Sequence, residues 1–374
     1  MLSIGGDQAA AGEAKWMSGV PASVLDGVPL AVKGNFLLKD VAMNTARTQL
    51  LRDHLPTHCA SLGRLSRQGL LSVAGEWETP GVLARTVSDA ALLLAILQGK
   101  DAGGCKKIGN LLDQTKKDID KVQRALPSLL GFPEGDRPLQ GLRVGVVELS
   151  TSGFLPRDAQ AEVLKQGTSY LEQAGAAVED VQLPDLQQGV GAMYYFATGH
   201  LLRGRSSFER ELKELGFGHA NTNEEVRSIL LATRRRGLEL SGQPDMCDEV
   251  AACSARNFAD SLKQVDVLLL PSAPCAPPTV AEASEWGNEH FLSIDAINVT
   301  ASLAGAPAMN VPVALTSKGG LPLGVQVVAA PSQEARVLAV GHVLERGAQS
   351  GFKAGSLLAP LHSPDKGKAP ISTV

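Results

Sequence analysis

The stretch that most constrains the fold runs from Gly141 to Leu183, where the hydrophobic period changes twice. GLRVGVVE (141–148) is a continuous apolar run of strand length. Residues 158–174 repeat their apolar positions at helical spacing and stop at Gly175, and AAVEDVQL returns to a strand pattern. Strand, helix and strand in that order predict an α/β fold. The logic recurs downstream. Residues 249–264 have helical spacing, VDVLLL (265–270) reads as a buried strand, and PSAPCAPP behind it excludes further strand or helix. A fixed irregular loop at a strand end commonly lines the ligand crevice of an open α/β sheet.

The flanking segments fill in the pattern. A helix over 88–98 is predicted from its Ala and Leu content, with Ser88 as cap and Gly99 as stop. Windows 189–213 and 223–240 also have helical spacing. AINVTASLAGAPAMNVPVAL and LPLGVQVVAAP bracket the turn SKGG and read as helix, strand, turn and strand, followed by a helix over 332–345. Near the start, Val28 to Val32 reads as a short buried strand that leaves Lys33 at its end, before Gly34 and Asn35. Taken alone, a lysine beside a strand is a solvated edge residue.

Composition bounds the function classes. The chain has 374 residues, 44% of them hydrophobic and 20% charged, as expected of a globular protein with a large core. A formal charge of −4 argues against a nucleic-acid grip spread over the whole surface, although it leaves a local basic patch open. TRRRG at 233–237, with Arg203, Arg205 and Arg210, is such a patch, and a solvated helix face is the simpler reading. Five cysteines form no CxxC pair, which indicates reduced thiols and neither a zinc ribbon nor a disulfide framework. His54 and His58 have the spacing of a helical metal pair, but Pro56 lies between them and no HExxH glutamate accompanies them, so no metal site is expected. The longest apolar runs, such as AALLLAIL, suit a core helix and not a membrane span, and the N-terminal residues carry no targeting pattern. One domain over 1–350 with a flexible tail over 351–374 is expected.

Six stretches, in order, resemble the amidase signature family. They are LDGVPLAVKGNF (25–36), TPGVLARTVSDAALLL (79–94), GFG (216–218) with VRSILLAT (226–233), VDVLLLPSAP (265–274), NVTASLAGAPAMNVPVAL (298–315) and GLPLGVQVV (320–328). Any one is weak; the ordered set, spanning most of the chain, is specific. Within the family it is most similar to the A subunits of glutamyl-tRNA(Gln) amidotransferase. The resemblance implies a mixed central β-sheet with helices on both faces. It also gives Lys33 a role, as the lysine of a Ser-cisSer-Lys triad. A lysine acts as a base only when neutral, and desolvation in a closed cleft favours the neutral amine. It would deprotonate a bridging serine, which activates a serine nucleophile toward an amide carbonyl.

The rest of that apparatus is missing. The family carries a Gly/Ser-rich block between the lysine strand and the ARTV helix, supplying both serines and the oxyanion hole. Here DHLPTHCASLGRLSRQGLLSVAGEWETPGVLARTV runs from one side of the block to the other, and no GGS triplet occurs in the sequence. The junction falls near residues 58–64: PTHCASLGRLSRQG resembles the family's helix upstream of the block, and GRLSRQGLLSVAGEWETP resembles the strand and loop downstream. Ser61, Ser66 and Ser72 lack glycine neighbours, so no nucleophile is assigned. Loss of a block that supplies central sheet also predicts lower stability than in a complete homologue.

On the substrate side the resemblance places Asp295 on the aspartate that binds the amino group of glutamine, chemistry suited to a carboxylate. An acid stabilised at a helix N-terminus is the alternative for an Asp there. The arginine for the glutamine carboxylate falls at Ser228, with Arg227 one position early, and one residue turns a helical side chain by about 100°. The resemblance further implies no cofactor on this chain, with ATP and Mg used by a partner subunit. It implies B and C subunits completing a heterotrimer, glutamine as substrate, Glu-tRNA(Gln) as indirect partner and no membrane. The expected location is intracellular: mitochondrion or chloroplast in a eukaryote, cytoplasm in a bacterium. Three readings stand at this point: an inactive A-subunit-like protein, a non-catalytic partner-binding scaffold, and a general amidase relative from an incomplete gene model.

Overall fold

A computed structural model describes residues 79–98, 131–147, 157–183, 246–273, 278–285, 301–316 and 321–351, with short pieces at 10–11, 14–15, 17–18, 57–59, 64–66, 275–276 and 297–298. Among these, seven strands form one sheet in the order β2-β1-β6-β7-β5-β3-β4. They are β1 Thr57–Cys59, β2 Gly81–Leu83, β3 Arg143–Val146, β4 Ala177–Asp180, β5 Val267–Pro271, β6 Ala308–Leu315 and β7 Pro322–Ala329. The helices are α1 Val87–Leu97, α2 Arg157–Gln173, α3 Met246–Gln264, α4 Val280–Glu285 and α5 Glu334–Gly351. The sheet is mixed: β3 pairs parallel with β4 and β5, and every pairing from β5 through β7, β6 and β1 to β2 is antiparallel.

The parallel half follows from the strand-helix-strand stretch that opened the sequence. Gly175, at φ +95°, ends α2 in the left-handed conformation that glycine adopts without a Cβ penalty, and Ala176 N–H returns to Leu171 O at 3.0 Å. The chain then enters β4 alongside β3. At the junction of β3 and β5, Asp266 accepts from Arg143 N–H at 2.9 Å and pairs with Arg143 Nε at 3.3 Å and Arg336 Nη1 at 3.5 Å. Desolvation pushes its carboxyl up, but the Arg143 hydrogen bonds and the two arginine charges outweigh it and hold the pKa below the usual value.

VLLLP in β5 is buried at every position because both faces of the sheet are covered. Val267 and Leu269 join a core with Leu164 and Leu171 of α2, Leu94 of α1 and Leu344 of α5. Leu268 and Leu270 face the other way, into a second core with Phe258 of α3, Ile297 and Ala301. Each of these leucines contributes on the order of 1.5–3 kcal/mol by leaving water. Pairing of β6 with β7 shifts register between Pro312 and Ala314 and leaves Val313 as the extra residue of a bulge, directly after a proline that has no N–H for the ladder. These features make the predicted α/β class, with a mixed sheet and helices on both faces, a property of the structure.

Three sequence expectations need correction. Thr86, not Ser88, caps α1: its backbone is extended, at φ −129° and ψ 155°, and its Oγ1 accepts from Asp89 N–H at 3.0 Å. Thr57–Cys59, expected in a helix, is a strand because β2 and β6 pair with it from both sides. β5 also runs one residue into PSAPCAPP, which was expected to exclude strand, with Pro271 paired to Val325; beyond that loop comes the short helix α4. Its start is a reciprocal cap in which Thr279 Oγ1 accepts from Glu282 N–H and Glu282 accepts from Thr279 N–H. The expected strand before Lys33, the helices over 189–213 and 223–240 and the turn SKGG lie outside the described residues.

Candidate functional site

Along the face of the sheet that carries Leu268 and Leu270, the character of the surface changes toward the carboxyl end of β5. The strand registers align Leu268, Val328 and Ala308 in one row and Leu270, Gln326 and Asn310 in the next. Ser272 N–H donates to Gly324 O at 2.9 Å, which extends the β5–β7 ladder by a further step. An apolar row thus gives way to amides and then to a hydroxyl. Gly324 permits this approach: a Cβ there would lie 2.8 Å from Ser272 Oγ and 3.0 Å from Val311 O.

Asn298 joins the cluster from the segment above the sheet. Its Oδ1 accepts from Gln326 Nε2 at 2.6 Å and from Asn310 Nδ2 at 3.1 Å, and its Nδ2 donates to Ser272 O at 3.3 Å. Gln326 is 2% exposed. Its Oε1 and the Ser272 Oγ are buried with no hydrogen-bond partner among the described residues. Two buried acceptors in one neutral cluster suit a ligand that brings N–H or O–H donors. Cys275, three residues past Ser272, has its thiol pushed up by burial, so it stays protonated at neutral pH and is no activated nucleophile.

A second polar group occupies the opposite core. Glu345 of α5 accepts from Val87 N–H at 2.9 Å, so it serves as a tertiary cap on the first turn of α1. Burial pushes its carboxyl up to about 7, the Val87 hydrogen bond opposes that shift and the Asp89 charge adds to it. His342 Nδ1 lies 4.0 Å from Glu345 Oε2, and the ring stacks on Phe132 with centroids 4.5 Å apart. Burial and the Arg346 charge lower the His342 pKa, against an opposing pull from Glu134. These partners are the capped helix and the aromatic ring, which makes the pair a packing feature.

Lys33, Arg227 and Asp295, the residues singled out from sequence, all lie outside the described residues. What the structure does bring together is Ser272, Asn298, Asn310 and Gln326. None was singled out beforehand, although a signal existed: Asn310 and Gln326 are polar residues inside the strand runs AMNVPVAL and PLGVQVVA. Among the described residues no group of three or more His, Cys, Asp or Glu side chains could hold a metal ion. None of the described helices is long and apolar enough to cross a membrane.

Comparison with known proteins places this architecture. The Amidase family pattern matches residues 58–338. The A subunit of glutamyl-tRNA(Gln) amidotransferase from Rhizorhabdus wittichii is 31% identical over 315 residues, covering 78% of this chain and 58% of the relative. The chloroplastic/mitochondrial A subunit of the same enzyme from Oryza sativa subsp. indica is 26% identical over 319 residues, covering 79% and 56%. This chain therefore spans little more than half the length of the curated relatives it matches. Among solved structures, the Thermotoga maritima A subunit superposes with a TM-score of 0.55 at 20% identity, over 78% of this chain and 58% of that one. A 6-aminohexanoate cyclic dimer hydrolase in complex with substrate gives 0.56 at 20%, over 81% and 62%. With the family pattern matched across most of its length and the same mixed sheet in its structural neighbours, the chain belongs to the amidase family.

Proposed function

We propose that this chain is an A-subunit-like member of glutamyl-tRNA(Gln) amidotransferase that keeps the base of the amide-cleaving triad and has lost its nucleophile. In a complete protein of this kind, glutamine is hydrolysed and the ammonia serves conversion of Glu-tRNA(Gln) to Gln-tRNA(Gln), with ATP and Mg used by a partner subunit. Lys33 is the base, Asp295 takes the substrate ammonium, and Arg227 lies beside the position that grips the carboxylate. B and C subunits are the partners, and the chain itself binds no cofactor. Its compartment follows its host: cytoplasm in a bacterium, or mitochondrion or chloroplast, as the name of the rice relative indicates for that protein.

What supports this reading is the sequence itself: LDGVPLAVKGNF and TPGVLARTVSDAALLL resemble A-subunit stretches, and no GGS triplet lies between Lys33 and the ARTV segment. A neutral lysine has no hydroxyl to deprotonate there, so acyl transfer stops before it begins. The test is a glutaminase assay on the purified chain beside a version with the Gly/Ser block restored. No ammonia from the first and turnover from the second is the expected result. A covalent acyl adduct on any hydroxyl of the unrestored chain would overturn the proposal.

A further inference from the structure

We infer that Asn298 is a positioning residue for substrate binding: clamped by Gln326, Asn310 and the Ser272 carbonyl, it fixes its own stretch of backbone, three residues after Asp295 in sequence, against the carboxyl end of β5. The inference rests on the reading of Asp295 as the carboxylate for a substrate ammonium. Its physical basis lies in the use made of the Asn298 side chain. Both lone pairs of Oδ1 are taken, by Gln326 Nε2 and Asn310 Nδ2, and Nδ2 is committed to Ser272 O. A side chain so fully engaged by the protein holds backbone in place and has little capacity left for a ligand.

The clamp joins three strands to one segment. Ser272 follows β5, Asn310 lies in β6 and Gln326 in β7, so a shift of Asn298 breaks bonds to three separate elements. The downstream end of the segment is fixed independently. Gly305 adopts φ +64°, Ala306 N–H returns to Ala301 O at 3.1 Å, and the chain enters β6 two residues later. Ile297 and Ala301 are buried in the core beneath. Apolar contacts seat a helix without fixing its rotation or slide, whereas three directional hydrogen bonds define both. Asp295 is three residues upstream of Asn298 in sequence.

The test uses the full chain and two variants, Asn298→Ala and the near-isosteric Gln326→Met, with Asp295→Asn as reference. Hydrogen exchange is read first. The amides of 301–306 should exchange at least 10-fold faster in both variants, while those of β5 and β7 keep their wild-type rates. Unchanged protection at 301–306 overturns the inference. Unfolding of both variants also overturns it, because the cluster would then be a determinant of the whole fold; if only one folds, that one decides.

Ligand binding is read second, by calorimetry with L-glutamine and with propionamide, which has the amide but no ammonium. Asn298→Ala, which keeps Gln326 Oε1 and Ser272 Oγ in place, should raise the glutamine Kd about 10-fold and leave propionamide unchanged, a selectivity that general loosening would not produce. Equal weakening of both ligands counts against positioning. If wild type fails to bind glutamine, or if Asp295→Asn binds it as wild type does, the role of Asp295 falls and the exchange data alone judge the clamp.

Discussion

The two faces of the sheet solve the problem of burying polar groups in opposite ways. On the α1–α5 side a carboxyl caps a helix, with Glu345 receiving Val87 N–H and lying near His342 and Asp89. On the other side three amides and a hydroxyl meet at the ends of β5, β6 and β7 with no ionisable partner among the contacts described. The difference teaches that the first arrangement carries a pH-dependent cost and the second does not. An amide keeps its hydrogen bonds at any physiological pH, which suits a device whose task is to hold a segment in place.

The largest effect that would sharpen this contrast is at Glu345. Its folded pKa of about 7 lies above the usual 4.5, so its contribution is fully present below pH 4.5 and is lost as pH rises through 7. Across roughly 2.5 pH units the loss is on the order of 3 kcal/mol. Glu345→Gln keeps a carbonyl for Val87 N–H and cannot ionise. Urea unfolding at pH 8 should show it more stable than wild type by about that amount, with the two converging at pH 4.5. Parallel profiles would erase the distinction between the faces. His342 acts in the other direction: its folded pKa is lowered, so its contribution is present above the usual 6.5 and is lost as pH falls through the lowered value. With Glu345→Gln in place, that acid-side loss should remain.

Next in size is Asn298→Ala, which leaves buried Gln326 and Asn310 donors without their shared acceptor and should cost about 2 kcal/mol. The cost should be flat from pH 5 to pH 8 in the same unfolding assay; a slope would mean that an ionisable group belongs to the amide cluster after all. Gly324→Ala should cost about 1 kcal/mol, since the added Cβ meets Val311 backbone as well as Ser272 Oγ. The smallest effect is expected for Asp266→Asn, below about 1 kcal/mol, because Arg143 and Arg336 are partly exposed and the amide still accepts one bond. That loss should be seen above the usual pKa of 3.8 and vanish as pH falls through the depressed value of Asp266. A thermal melt series from pH 3 to pH 6 reads it.

Particular residues show where sequence reasoning reached and where it stopped. β5 was legible because VDVLLL is continuously apolar, and α2 because its period ends at a glycine that must adopt positive φ. β1 was not, because THC has no strand signature of its own and becomes a strand only when β2 and β6 pair with it. The cap of α1 was misread by two residues because Thr86 and Ser88 are chemically equivalent candidates, and only the extended backbone of Thr86 chooses between them. At the site, Gln326 is a polar residue in an apolar strand, a signal the sequence reading did not use, and its partner Asn298 is 28 residues away in sequence. No local pattern pairs them.

The α/β alternation and the family resemblance could be read from the chain alone, because each is written in neighbouring residues. Only the tertiary structure decided that a carboxyl of α5 caps α1 and that Asn298 meets Gln326, Asn310 and Ser272. The physical reason is that hydrogen bonds between distant segments depend on strand register and helix placement, which the packing of the two cores sets jointly.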